Sequence, residues 1–244
     1  MATIRRSLRS RGLIGRVAAA KPLLRKPNIK KRLLWAREHK DWGLEEWHKV
    51  LFTDETKSEC FGNNRRVYVR RRKGERFLKE CLKPTIKHGG GSIMAWGAIS
   101  AHGVWPLKKI EGKMDKKYYH NILQRHAIPA GTALIGKNFV FQEDNDPKHA
   151  SAYCRDYLAK KEKLGILRRM VWPPQSPDLN PIEQVWDLLE SKIDKTQKTS
   201  EQGLWRAMQQ AWSQISIQEL RKYINTMPAR CRAVISAKGG HTRY

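Results

Sequence analysis

The sequence is short of acidic residues. Its 244 residues contain 23 Asp and Glu against 49 Lys and Arg, which gives a formal net charge of +26. The most economical partner for such a chain is a polyanion, because each neutralised phosphate releases condensed counterions. This excess favours nucleic acid as the partner and leaves an anionic membrane surface as the alternative.

Long apolar runs are absent as well. No stretch approaches the roughly eighteen consecutive apolar residues of a membrane-spanning helix, so we expect a soluble chain with no membrane partner. No long apolar core marks the N-terminus as a secretion signal. Residues 1–36 hold eleven Lys and Arg and no acid, which also fits a mitochondrial transit peptide, but Gly12, Gly15, Pro22 and Pro27 interrupt a long amphipathic helix there.

Cysteine is scarce and widely spaced. The four thiols are those of Cys60, Cys81, Cys154 and Cys231. This spacing fits neither a CxxC zinc knuckle nor the disulfide framework of a small secreted domain, so we expect reduced, structural thiols. A repeat of 20–50 residues is also missing, which excludes solenoids and propellers.

The apolar content is high enough for a large core, with 40% hydrophobic residues and nine tryptophans. We predict three zones: a basic N-terminal arm and linker (1–32), one large folded domain (33–236) and a short tail (237–244). In the arm, TIRRSLRSRGL predicts a helix closed by Gly12. The following RKPNIKKR could bind phosphate, act as a nuclear import signal or remain a solvated basic segment.

Hydrophobic periodicity predicts an α/β fold, with a mixed sheet flanked by helices and a helical C-terminal tail. Strands are expected at 49–55, 66–72, 92–100, 103–110, 138–144 and 166–172. Helices are expected at 31–42, 115–128 and 149–162 and throughout 181–236.

Two acids continue buried strands. In KVLFTD the alternation of a strand places Val50, Phe52 and Asp54 on one face, so Asp54 emerges where the apolar stripe ends. In NFVFQED the same alternation puts Asp144 on the face of Val140, while its neighbour Glu143 points to the other side. Asp54 and Asp144 are therefore candidate metal ligands.

Other polar residues have structural alternatives. Asp146 before Pro147 is typical of a helix start, with Asp as the N-cap. Glu183 in NPIE could complete a capping box begun by Asn180, and it opens a polar stripe opposite apolar residues. His149 could support a metal ligand, contact DNA or simply lie at the surface.

A later acid could join the two strand-end acids if their strands are adjacent. Asp54, Asp144 and Glu183 would then share one cleft, and hard divalent cations prefer such oxygen ligands. Three acids suit a two-metal site, which activates an attacking oxygen and stabilises the leaving one in a phosphoryl displacement. The basic surface would hold the phosphodiester in place.

The sequence also resembles the Tc1/mariner transposases. The resemblance is carried, in order, by LFTDETKSECFG, GGGSIMAWGAIS, FQEDNDPKH and WPPQSPDLNPIEQVW. It implies an RNase H-like fold, a catalytic DDE triad at Asp54, Asp144 and Glu183, and two Mg²⁺ or Mn²⁺ ions with no organic cofactor or small-molecule substrate. It further implies cleavage of double-stranded DNA at transposon ends, strand transfer into target DNA, commonly at TA, a homodimer and a nuclear location. A relic that binds DNA without catalysis is the alternative.

Sequence-specific DNA binding in this family comes from two helix-turn-helix units, and the chain opens inside what resembles the last recognition helix. We therefore expect an N-terminally truncated relative with weak, salt-sensitive DNA binding. Residues 65–87 resemble the family's clamp loop, although a solvated hairpin is the alternative. Four tryptophans, Trp96, Trp105, Trp172 and Trp186, are expected in the core. The candidate DNA contacts are Arg5, Arg6, Arg9, Arg25, Lys26, Lys30, Lys31, Arg70, Arg71, Arg72, Lys148 and His149.

Overall fold

A computed structural model describes residues 2–14, 21, 23–60, 72, 78 and 91–244. The strand predicted at 66–72 lies outside these residues except for Arg72, and so do Cys81 and most of the resembled clamp loop. In the described part of the chain, no helix is both long and apolar enough to cross a membrane.

The described strands form one mixed sheet. They are β1 (Val50–Glu59), β2 (Ser92–Ser100), β3 (Gly103–Val104), β4 (Lys108–Ile110), β5 (Phe139–Gln142) and β6 (Leu167–Arg169). Their order is β3-β2-β1-β5-β6, and β4 also pairs with β2. β1 is antiparallel to β2 and parallel to β5, which is parallel to β6. The predicted mixed sheet is confirmed, with β1 at its centre.

Helices cover both faces of this sheet. They are α1 (Ala2–Ser10), α2 (Lys26–Glu38), α3 (Leu44–His48), α4 (Lys116–Ile122), α5 (Ile128–Leu134), α6 (Ala152–Lys163), α7 (Ile182–Lys192), α8 (Glu201–Ser213), α9 (Ile217–Ile224) and α10 (Met227–Ser236). A π-helical turn, Leu123–Ala127, joins α4 to α5. The helical C-terminal region is confirmed, and α1 ends before Gly12, whose φ of 74° suits glycine.

Several predicted elements differ from the structure. β1 runs to Glu59, four residues past the predicted end, and β6 ends at Arg169, three residues before the predicted end. The strand expected at 103–110 is split into β3 and β4, because Pro106 lies between them and proline has no N–H for a strand ladder. The helix expected at 149–162 begins at Ala152, where the Ser151 hydroxyl accepts a hydrogen bond from the Cys154 N–H, so Asp146 is not its N-cap. Asp146 instead caps an isolated turn, with its Oδ1 accepting from the Lys148 N–H at 2.9 Å.

The sheet separates two apolar clusters. On one face, Val50, Phe52 and Val140 pack with residues of α7–α10. On the other, Leu51 and Phe141 pack with residues of α4–α6. The alternation of strand residues thus sends even-numbered positions of β1 and β5 to the α7 side.

The tryptophans and cysteines lie where the sequence predicts. Trp96, Trp172 and Trp186 are buried, and Trp105 is half-buried against the α4–α6 cluster. The described thiols, those of Cys60, Cys154 and Cys231, are buried and free.

The predicted boundary between residues 32 and 33 falls inside α2. The guanidinium of Arg32 is buried and forms a two-pronged ion pair with Asp178, with both N–O distances at 2.7 Å. It also donates to the carbonyl oxygens of Gly239 and Gly240, in the segment predicted as a tail. α2 and the C-terminal residues therefore pack with the region that follows β6.

Candidate active site

Strand register brings Asp54 and Asp144 to the same level of the sheet. In the parallel ladder the last paired residues are Phe52 on β1 and Gln142 on β5. Each acid lies two residues beyond its strand's member of this pair, so the two acids project at the same level and on the same face. Asp144 lies past the end of β5, but β1 continues to Glu59 and Asp54 pairs with Gly97 inside it, so the expectation that Asp54 marks a strand end is wrong. The predicted sharing of a face is confirmed.

Gln142 ties β5 to β1 just before the two acids, through hydrogen bonds with Thr53. Its side-chain Oε1 accepts a hydrogen bond from the Thr53 N–H at 3.0 Å, and its backbone oxygen accepts from the Thr53 hydroxyl at 2.8 Å. Both residues are buried. The junction therefore stays fixed immediately before the acids, a contribution that the sequence alone did not reveal.

Glu183 enters from the other side, in the first turn of α7. Asn180, just before this helix, directs its Nδ2 towards the Asp54 Oδ2 and the Thr53 carbonyl oxygen, each at 3.4 Å. Its own Oδ1 accepts from the Ile182 N–H at 3.3 Å. Asn180 thereby ties the start of α7 to β1.

The predicted capping box at Glu183 is wrong. α7 begins at Ile182, with Pro181 in the N-cap position and no side-chain cap. Glu183 is exposed, whereas Ile182 and Val185 are buried, as the predicted polar and apolar stripes require.

The three acids line one cleft of about 410 Å³. Its walls come from the middle of β1, the end of β5, the Pro-rich segment after β6 and the start of α7. The lining residues are Asp54, Asp144, Asn145, Asp146, Trp172, Pro173, Pro174, Gln175, Ser176, Pro177, Asn180 and Glu183. The predicted convergence of Asp54, Asp144 and Glu183 on one cleft is what the structure shows.

Negative charge is concentrated in this cleft. Burial and the charges of Glu183, Glu55 and Asp144 raise the pKa of Asp54 well above its ordinary value. Glu183 keeps contact with solvent, but its partial desolvation and the charge of Asp187 also raise its pKa. Carboxylates that resist ionisation together are stabilised by a bound cation.

Asp144 behaves differently because of its partners. Burial raises its pKa, but the His149 side chain and the Asp146 N–H lower it by more, so the net pKa lies below the ordinary value. The Nδ1 of His149 lies 2.6 Å from the Asp144 Oδ1. Of the three acids, Asp144 thus has a lowered pKa, whereas the pKa values of Asp54 and Glu183 are raised.

His149 is buried, which contradicts the alternative that it lies at the surface. Burial lowers the pKa of this imidazole, but Asp144 and Glu55 raise it by more, to about 10. Its Nε2 lies 3.6 Å from the Glu55 Oε1, and its ring stacks on Tyr119 with centroids 3.7 Å apart. These side chains cover His149, so it is not placed to contact a nucleic acid. Of the three roles considered from the sequence, the geometry favours support of a metal ligand.

The acids fit a divalent cation by their chemistry. Carboxylate oxygens are the ligands that Mg²⁺ and Mn²⁺ prefer, and Mg²⁺ takes one or two of them while keeping several waters. Among the described residues, no three His, Cys, Asp or Glu side chains lie close enough together to hold a metal ion, so Asp54, Asp144 and Glu183 share the cleft without forming a ready-made metal site. An open cleft lined by carboxylates from three elements suits a hydrated cation that must also meet a substrate.

The predicted DNA contacts are dispersed. Exposed side chains are those of Arg6 and Arg9 on α1, Arg25, Lys26, Lys30 and Lys31 at or in α2, and Arg72. The backbone of Arg5 lies in α1, while Arg70 and Arg71 lie outside the described residues. Lys148 is half-buried, and its Nζ lies 3.1 Å from the Asp146 Oδ2 beside the cleft.

Two buried arginines support the wall of the cleft, and sequence analysis missed both. Arg32 pairs with Asp178, and Arg230 donates to the Asp178 carbonyl oxygen at 2.8 Å. Arg32 precedes Trp35 and Ala36 by three and four residues, which places it on their buried helix face. That spacing could have indicated that Arg32 is buried. The neighbouring lysines and arginines instead made it look like part of an exposed basic segment.

Comparisons with known proteins agree with this architecture. A family model described as DDE superfamily endonuclease matches residues 49–219, and another described as Transposase matches residues 1–41. The Tc1 transposase of Caenorhabditis elegans is 39% identical over 242 residues, 99% of this chain and 87% of that protein. The Tcb1 transposase of Caenorhabditis briggsae is 40% identical over the same shares.

Solved structures resemble the chain in fold. The Mos1 transposase paired-end complex with left transposon end superposes with a TM-score of 0.81 at 17% identity, covering 99% of this chain and 71% of that one. The catalytic domain of Mos1 mariner transposase gives a TM-score of 0.66 at 12% identity, covering 92% and 100%. The RNase H-like fold predicted from the sequence is confirmed.

Proposed function

The chain belongs to the DDE superfamily endonucleases, among the Tc1-like transposases, and from this we propose that Asp54, Asp144 and Glu183 form its DNA-cutting centre with divalent metal ions. The observation that carries the proposal is the placement of these acids, from β1, the end of β5 and α7, around one cleft. Each comes from a different element, so only the folded chain unites them.

Within this centre the acids would hold two Mg²⁺ or Mn²⁺ ions. Bound there, the ions would activate the attacking oxygen and stabilise the leaving oxygen of an in-line displacement. The chain itself keeps the ligands in place: Gln142 fixes the strand junction and Asn180 holds α7 against β1. No Ser, Cys or Lys nucleophile is required, because water or a DNA 3′-hydroxyl attacks the phosphodiester.

The substrate we propose is double-stranded DNA. Support comes from the net charge of +26 and from the exposed arginines and lysines of α1 and α2. Structures of the similar Mos1 transposase include a complex with a transposon end, a strand transfer complex, and forms with Mg and Mn. The same centre would first cut at transposon ends and then join the freed end to target DNA, commonly at TA.

A homodimer acting in the nucleus completes the proposal. Two transposon ends must be handled together for transposition, and Mos1 forms a paired-end complex. Sedimentation of the protein with DNA tests the dimer. The exposed Arg25, Lys26, Lys30 and Lys31 are available to an import receptor, and imaging of a fluorescent fusion with and without these four charges tests the location.

The proposed activity is tested by nicking of supercoiled plasmid. We expect nicking in Mg²⁺ or Mn²⁺ that stops with EDTA and falls to background in Asp54→Ala, Asp144→Ala and Glu183→Ala. The matched control is Asp41→Ala, since the Asp41 side chain is 86% exposed and outside the cleft. Nicking that needs no metal, or survives these changes, contradicts the proposal. DNA binding without cleavage by wild type in any metal would favour the relic that binds without catalysis.

A further inference from the structure

His149 lies in the turn between β5 and α6, beneath the carboxylate of Asp144. Its side chain is 4% exposed, while that of Asp144 is 48% exposed. The 2.6 Å separation of Nδ1 and Oδ1 requires a hydrogen on Nδ1, because a carboxylate oxygen only accepts. A buried donor therefore touches one oxygen of a solvent-facing acid.

The imidazole is held from its other sides. Tyr119 stacks on its face with an interplanar angle of 27°, and the Glu55 Oε1 faces Nε2 at 3.6 Å. Tyr119 is itself fixed, because its hydroxyl donates to the Glu143 Oε2 at 2.7 Å. With its ring plane set by Tyr119, His149 presents Nδ1 in one direction.

Asp144 has little other restraint. It lies two residues past the end of β5, and its Oδ1 accepts from the Asp146 N–H at 3.0 Å. Oδ1 is thus occupied by His149 and Asp146, whereas within the described part of the chain Oδ2 has no hydrogen-bond donor. Oδ2 is the oxygen left for the cleft that Asp144 lines.

We propose that His149 is a positioning residue that, through its Nδ1 contact with Oδ1, fixes the Asp144 carboxylate so that Oδ2 meets the metal. The inference rests on the proposed metal site. The Nδ1–Oδ1 contact is short but is not aligned as a hydrogen bond, so the Nδ1–H of His149 acts on Oδ1 mainly through its partial positive charge. Partners of metal ligands orient them in this way in many sites.

The test compares two variants of nearly equal shape, His149→Asn and His149→Leu. The Asn amide nitrogen takes the place of Nδ1 and can still donate to Oδ1, whereas Leu cannot. We expect Mn²⁺ affinity, measured by titration calorimetry, to fall by about 10-fold to 100-fold in His149→Leu and to stay near the wild-type value in His149→Asn. Plasmid nicking should follow the same order.

Controls separate positioning from general loss of structure. Thermal unfolding of both variants should show a folded protein, and His120→Leu, which removes a histidine that contacts Tyr153 and Tyr157, should bind Mn²⁺ as wild type does. Equal Mn²⁺ affinity in His149→Leu and wild type overturns the inference while leaving the metal site intact. Equal losses in His149→Asn and His149→Leu also overturn it, since the retained donor would then be irrelevant. Wild-type protein that binds no Mn²⁺ refutes the metal site and the inference with it.

Discussion

The indole of Trp186 lies against the bare backbone of Gly97. A Cβ added to Gly97 would lie 2.4 Å from the Trp186 Cη2. Gly97 pairs with Asp54 across the β1–β2 ladder, and Trp186 lies one turn after Glu183 on α7. The missing side chain at Gly97 thus lets the helix that carries Glu183 approach the strand that carries Asp54.

Gly97→Ala should displace α7 from the sheet. Overpacking of this kind lowers the free energy of unfolding by about 1–3 kcal/mol. A shift of Glu183 by about 1 Å can reduce a catalytic rate on the order of 100-fold. We therefore expect a large fall in the nicking rate. Urea unfolding should show only a modest loss of stability.

Gly97→Ala combined with Trp186→Phe is the control for this prediction. Phenylalanine lacks the Cη2 atom that meets the new methyl, so the double variant should recover part of the nicking rate. Additive losses in the two single variants and the double variant would contradict a direct clash.

Arg32→Ala should unfold the protein more easily, because it leaves the Asp178 carboxylate without its buried partner. Removing one member of a buried ion pair typically costs about 3–5 kcal/mol. Arg37→Ala, an exposed change on the same helix, should cost no more than about 0.5 kcal/mol. Urea unfolding of both variants measures the difference, and equal costs would mean that the pair contributes little.

The same pair predicts a loss of stability in acid. Burial raises the pKa of Asp178, but hydrogen bonds from Arg32 and Thr242 lower it by more, so the folded pKa lies below the ordinary value. The stabilisation is therefore complete above the unfolded pKa of about 4 and is lost as the pH falls through the folded pKa. The difference in unfolding free energy between wild type and Asp178→Asn should shrink over that range, whereas a constant difference would contradict the assignment.

Arginines of α1 should contribute to the salt dependence of DNA affinity. Each phosphate contact removed lowers the slope of log K against log salt by about 0.9. If Arg6 and Arg9 both contact phosphates, the double alanine variant should lose about two units of slope in fluorescence anisotropy titrations. Lys137→Ala is the matched control, since this exposed lysine lies before β5, at the opposite end from Asp144. An unchanged slope in the double variant would exclude α1 from the contact surface.

Local patterns predicted the acids but not their supports. The two-residue period of strands was sufficient to place Asp54 on the face of Val50 and Phe52, and Asp144 on the face opposite Glu143. The role of His149 could not be predicted this way, because its burial depends on Tyr119 and Glu55 from distant parts of the chain. The ion pair of Arg32 could not be predicted this way either, since its partner Asp178 lies beyond β6.

Helix starts were predicted less well, because neighbouring residues compete for the cap. Asp146 and Ser151 are both good N-caps, and the helix uses Ser151. At α7 the start shifted by one residue from Asn180 to Pro181, and Asn180 instead contacts Asp54. Only the tertiary contact distinguishes these alternatives.

Counting bound Mn²⁺ is the most direct test of the proposal that Asp54, Asp144 and Glu183 share one metal centre. Titrations followed by electron paramagnetic resonance should show two ions in wild type and weaker or fewer ions in each of Asp54→Asn, Asp144→Asn and Glu183→Gln, which keep the size of the side chain. Asp41→Asn should match wild type. Two ions bound with wild-type affinity after any one of the three cleft substitutions would contradict the shared centre.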